Sequence, residues 1–115
     1  MGYMRHHAII VTSWDGELLR KAHKVAGELF EEISPVLEGY INSYHSFFVP
    51  PDGSKEGWEH SDDGDKRRDG LIAWLEGQRD EEQCTALEWV EVQYGDDDLE
   101  TVVTRDNDEL RRLKR

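Results

Sequence analysis

The side chains that could do chemistry in this 115-residue chain are few and poorly placed for one another. His6 and His7 are adjacent, so on a strand their rings point to opposite faces instead of converging on one ion. His23 sits on the margin of a helical apolar stripe, beside Leu19 and Ala26, where a packed or capping imidazole is expected. His60, flanked by Glu59 and Asp62, comes nearest to a metal corner. Asp96-Asp97-Asp98 and Asp62-Asp63-Gly64-Asp65 offer oxygen ligands, but neither has the alternating spacing and terminal glutamate of a calcium loop. Cys84 follows Asp80, Glu81 and Glu82, surroundings that work against thiolate chemistry. Ser54 and Lys55 are neighbours in a turn, a poor geometry for a nucleophile and its base. No glycine-rich phosphate cradle is present. The expectation is therefore no catalytic residue, no metal site and no cofactor. The alternative from the enzyme class is a small metal-dependent hydrolase or ligand-binding protein using His45, His60 and nearby acids.

The elements that would position these groups read as β-α-β-α-β-β. His7 to Ser13 (HAIIVTS) is a strand whose consecutive apolar residues predict burial on both faces and a central place in the sheet. Asp15 stands at a helix N-cap. From Glu17 to about Ile33, Leu18, Leu19, Ala22, Val25, Ala26, Leu29, Phe30 and Ile33 recur at helical steps, and Pro35 ends the helix. Tyr40 to Val49 is aromatic and β-branched, a second strand closed by Pro50-Pro51-Asp52-Gly53. A loop anchored by Trp58 leads to a second helix over about Asp65 to Glu76, with Gly77 just past its end. Ala86 to Tyr94 alternates as a third strand, and a turn at Gly95-Asp96-Asp97-Asp98 sends Leu99 to Thr104 back as a fourth. The predicted fold is one α+β domain over 1–115, a two-layer sandwich with a four-stranded mixed sheet and both helices on one face.

Charge narrows the partners. The net charge is −12, and residues 76–109 carry 13 acidic side chains against only Arg79 and Arg105. Such a field repels phosphates and steers a basic protein surface inward. Direct nucleic-acid binding is not expected, although Arg111, Arg112, Lys114 and Arg115 make a basic tail over about 110–115. No run has the length of a membrane helix, and Met1 to His7 lacks the apolar stretch of a signal peptide, so the expected compartment is the cytoplasm. With one cysteine, no intramolecular disulfide can form.

On the third strand, alternation assigns Val90, Val92 and Tyr94 to the helix-covered core. It then leaves Trp89 with Leu87, Glu91 and Gln93 on the open face. An aromatic anchor ringed by acids has the makings of an interface centre. The expected partner-binding residues are Glu88, Trp89, Glu91, Asp96, Asp97, Asp98 and Glu100. Homodimerisation through the same open face is the competing use.

Ala8-Ile9-Ile10-Val11-Thr12-Ser13, the long helix after it, the strand bearing Phe47-Phe48, and Cys84-Thr85 shortly before a strand with Trp89 resemble small proteins of tailed bacteriophages. In the same features the chain distantly resembles a type II-C anti-CRISPR inhibitor. Pro50 to Asp69 and the Asp96–Asp98 turn have no counterpart there. The resemblance implies binding to the nuclease domain of an RNA-guided nuclease, with bridging of two copies. The function expected from residues and resemblance together is an acidic accessory protein in the host cytoplasm. It would bind a basic surface on a host protein, such as a nuclease or other nucleic-acid-handling defence enzyme, with nucleic-acid mimicry as one mode of doing so. A structural or assembly role in a virion is the remaining alternative.

Overall fold

The computed structural model describes residues 3–82, 84–95, 97 and 100–107. Its elements are β1 (Tyr3–Met4), β2 (His6–Ser13), α1 (Gly16–Leu29), β3 (Leu37–Glu38), β4 (His45–Val49), β5 (Lys55–Glu56), α2 (Glu59–Glu76), β6 (Leu87–Tyr94) and β7 (Val102–Asp106). Five strands form one sheet in the order β3-β4-β2-β6-β7, and β1 pairs with β5 in a separate ribbon. Every pairing is antiparallel. The α+β class, the two helices and the central place of the first long strand agree with the sequence reading. The four-stranded mixed sheet does not: there are five strands and none is parallel.

The extra strand explains the difference. Tyr40 to Val49 is not one strand, because Asn42 and Ser43 take left-handed φ values of 65° and 54° and reverse the chain. Positive φ at both central residues is the geometry of the tight turns that join hairpin strands. Leu37–Glu38 thus becomes an edge strand on β4, and β4 returns beside β2 in the antiparallel sense.

α1 starts where Asp15 caps it, with Asp15 Oδ1 accepting from Leu18 N at 3.1 Å. Asp15→Ala should cost about 1 kcal/mol of stability in urea unfolding, the usual worth of such a cap. The helix stops at Leu29, short of the expected Ile33. Residues beyond it extend so that Ser34 can pair with β4, its N–H donating to the Phe48 carbonyl at 2.9 Å and its hydroxyl accepting from Phe48 N at 2.8 Å. His23 fulfils its packing role, with Nε2 donating to the Ser34 carbonyl at 2.9 Å and the ring edge-on to Phe47. α2 begins six residues before the expected Asp65, at Glu59. Gly64 suggested a loop, but it lies within the helix, facing the ends of the Asp52 and Arg68 side chains. A Cβ there would stand 2.9 Å from Asp52 Oδ2.

The core lies between the helices and one face of the sheet. Leu19, Ala22 and Ala26 of α1 and Leu71, Ile72 and Leu75 of α2 pack on Ile9 and Val11, Phe47 and Val49, and Leu87 and Trp89. The register places Val11 opposite both Phe47 and Trp89, so these three share the covered face. The expected face assignment of β6 is therefore inverted. Trp89 is 5 % exposed beneath the helices, and Val90, Val92 and Tyr94 turn to the other side. The two-sided burial expected of β2 is corrected as well, since Ile10 is 43 % exposed.

Candidate functional site

With Trp89 in the core, the open side of the sheet is built from different residues. Ile10 faces Phe48 on one neighbour and Val90 on the other, and Val92 faces Val103 in the next row. Leu37 continues the surface onto the edge strand, opposite Ser46. Ile10, Leu37, Phe48 and Val103 are all exposed, so an apolar band crosses five strands, and among the described residues no helix lies over it. His6 and Tyr94 close one end, their rings 5.4 Å apart. By alternation the charged residues on this face are Glu88, opposite Thr12, and Asp106, opposite Val90. Among the described strand residues on this face there is no lysine or arginine.

The expected partner-binding acids separate into distinct roles. Glu88 and Glu100 are exposed. Asp97 is exposed too, and its carboxylate accepts from Met4 N at 2.7 Å, which ties the β6–β7 turn to β1. Asp96 and Asp98 lie outside the described residues. Glu91 is 4 % exposed and belongs to an ion network under α2, so it is not a free contact residue. Arg105 grips it at both oxygens, Nε to Oε1 and Nη2 to Oε2, each at 2.8 Å. The Thr104 hydroxyl donates to Oε1 at 2.7 Å, and Arg68 Nε lies 3.8 Å from Oε2. Arg105 reaches on to Asp69, and Arg68 to Asp65. Burial alone would raise the Glu91 pKa, but the hydrogen bonds from Arg105 and Thr104 and the two guanidinium charges hold it below the usual value.

Among the described residues the acidity of 76–109 therefore does not form one patch. Besides Glu91, Glu76 pairs with Arg79, whose guanidinium also donates to the Asn107 carbonyl. Asp80 Oδ1 accepts from Glu82 N and Cys84 N and so shapes its own loop. Two signals in the sequence pointed to this arrangement: the lone arginines of the acidic third, and the Arg67-Arg68 pair inside α2.

A cleft of about 620 Å³ opens between the end of α1, the β4–β5 loop and the first turns of α2, with Trp58, His60, Asp63, Arg67 and Asp52 among its walls. At Asp52, burial pushes the pKa up. The Ser54 hydroxyl and amide, with Arg68 and His7, outweigh that and keep it low. His60 lines this cleft beside Phe30, just past the C-terminal end of α1. His45 instead lies against Gly16 at the other end of that helix, roughly 20 Å along its axis. The two histidines of the hydrolase alternative are thus not brought together. Among the described residues no three His, Cys, Asp or Glu side chains are grouped to hold a metal ion, and no helix is long and apolar enough to cross a membrane.

What the arrangement can do is present a preformed apolar surface with acids on it. No protein family, no curated protein and no solved structure matches this chain.

Proposed function

We propose that this protein acts by docking onto another protein, as an acidic, phage-type accessory factor in the host cytoplasm. The target class is a host protein with a basic surface, foremost a nuclease or other nucleic-acid-handling defence enzyme, in the manner of an anti-CRISPR inhibitor. One observation carries the reading. A chain of net charge −12 carries a sheet face that no described helix covers, with Ile10, Phe48 and Val103 exposed across it and Val90 and Val92 half-buried between them. Water-exposed apolar area of this kind is unfavourable unless something covers it, and contiguous patches mark interaction sites. Acids on and around the face would speed encounter with a cationic partner and make binding sensitive to salt.

The test compares tagged wild type with Phe48→Glu in pull-downs from host lysate at low and moderate salt, followed by mass spectrometry. A basic nucleic-acid-handling protein should be retained by wild type, less so at the higher salt. Phe48→Glu should weaken its binding at least about tenfold, since a charge placed at a buried apolar contact costs more than 1.4 kcal/mol. Phe48 is already 38 % exposed in the free protein, so that substitution should leave the fold intact. Equal recovery of the same proteins by both baits would remove the docking reading. In a second arm, DNA cleavage by a type II-C RNA-guided nuclease should fall on adding the protein. Unchanged cleavage would remove the nuclease as target.

A further inference from the structure

The exposed apolar side chains are not spread evenly over the open face. Five of them gather at one corner, where the β3–β4 hairpin meets the end of β2. Ser13 lies opposite His45, so the next residues, Trp14 and Tyr44, end up at the same edge of the sheet. Trp14 is 62 % exposed, Tyr40 is fully exposed, and Leu37, Ile41 and Tyr44 are exposed with them. The hairpin tip is held by its own backbone. Gly39 N donates to the Tyr44 carbonyl, and the turn runs through Asn42 and Ser43, both at positive φ. Serine takes that conformation at a cost, and such strain clusters at functional sites. A stiff turn presenting Tyr and Trp loses little conformational freedom on binding.

Charge around the corner selects the occupant. Glu88, opposite Thr12, lies on the open side of the corner, while Glu38, in register with His45, and Glu17, in the first turn of α1, flank it from the helix side; all three are exposed. Arg20 and Lys21 are the nearest cations in sequence on α1, and Arg20 is turned to the Gly16 carbonyl. Aromatic faces bordered by carboxylates suit guanidinium groups, which stack on the rings while pairing with the acids. A second copy fits poorly, because a twofold contact through this corner would set its acidic rim against itself.

We infer that this corner is the anchor for an arginine-rich, apolar-containing segment of a protein partner, seated across Trp14, Tyr40 and Tyr44. The inference rests on the docking function proposed above and assigns where that docking is centred and what it recognises.

The experiment titrates the labelled full-length protein with a synthetic peptide alternating leucine and arginine, followed by two-dimensional NMR. Peptides alternating glycine with arginine and leucine with glutamate serve as controls. The leucine–arginine peptide should shift the Trp14 indole N–H and the amides of residues 37–44 in a saturable manner. Both controls should bind at least about tenfold more weakly. Tyr40→Ala and Trp14→Ala should each weaken binding about tenfold without loss of spectral dispersion, and Tyr40→Phe should restore most of it. Glycine–arginine binding as tight as leucine–arginine binding, shifts confined to other surfaces, or no binding at all would overturn the assignment. So would a dimer in sedimentation that Trp14→Ala dissociates. Neutralising Arg111, Arg112, Lys114 and Arg115 to serine in the full chain should leave the free Trp14 indole signal in place. Movement of that signal would give the corner to the chain's own basic end. If the partner captured from lysate is lost with Val103→Glu but kept with Tyr40→Ala and Trp14→Ala, docking through the sheet stands and the corner does not. If none of the three substitutions affects capture, both fall.

Discussion

Trp89→Ala should lose about 3–5 kcal/mol of folding stability, the range for truncating a large aromatic side chain in a packed core. The indole is 5 % exposed and lies among Val11, Leu87 and the apolar faces of both helices, so its removal leaves a cavity that the sheet cannot close. The backbone of the same residue is fixed at a second point. Trp89 N donates to Asn107 Oδ1 at 2.9 Å, and Asn107 N donates back to the Trp89 carbonyl. These contacts hold the strand in register while the side chain is cut away, which limits relaxation. A domain of this size has roughly 5–15 kcal/mol in total, so the variant should be marginal at 37 °C. Urea unfolding followed by far-UV circular dichroism measures it, with the midpoint falling and the slope unchanged. An interface tryptophan would behave the other way, with stability nearly intact and partner binding lost. A loss under about 1 kcal/mol would return Trp89 to the surface and overturn the face assignment.

That residue also shows what can be read from a strand. Alternation along Leu87–Tyr94 is plain in the sequence, and it divides the side chains correctly into two sets. It does not say which set faces the helices. Val90, Val92 and Tyr94 look like the more apolar choice. The covered set, however, contains Leu87, Trp89 and a carboxylate, Glu91, that is acceptable inside only because Arg105 and Arg68 come to meet it. Those partners lie 14 and 23 positions away in the chain, beyond what strand periodicity can weigh. The start and buried stripe of α1 were legible because their signals are local, an Asp cap and a wide stripe. Its end was not, since the chain after Leu29 extends toward β4 well before Pro35. The start of α2 was not either, since Gly64 in a charged stretch reads as a breaker and Trp58, at the N-cap, makes no side-chain cap bond that would mark the true start. The missed strand β3 has the same origin. Its turn uses Asn42 and Ser43 in place of a glycine, so the reversal is hidden within a β-rich run. A helix-free sheet face was expected, but not these residues on it: Ile10 comes from a strand that reads as buried on both faces, and Phe48 from an aromatic run whose two faces the sequence does not tell apart.

The buried network gives the other large effect. Glu91→Ala should cost about 2–3 kcal/mol, because Arg105 and the almost fully buried Arg68 lose their shared carboxylate while keeping Asp69 and Asp65. Glu91→Gln tests the charge apart from the shape. It keeps a hydrogen-bond acceptor for the Thr104 hydroxyl but gives up the ionic part of the Arg105 clamp. The dependence on pH has a definite sign. The folded-state pKa of Glu91 lies below its ordinary 4.5, so the stability it contributes is complete above that value. It drains away as pH falls from about 4.5 through the lowered folded-state pKa. Arg105 has its pKa raised, so its share is in force at all lower pH and adds nothing to the acid limb. Wild-type stability should therefore decline steeply on acidification below about pH 4.5. In Glu91→Gln the curve should start lower at pH 7 and fall less steeply over the same interval, by up to one proton in the slope. Chemical denaturation at pH 7, 5, 4 and 3 reads this directly. Parallel curves for the two proteins would mean that Glu91 takes up its proton equally in the folded and unfolded chain. The clamp between β6, β7 and α2 would then contribute nothing through its charge.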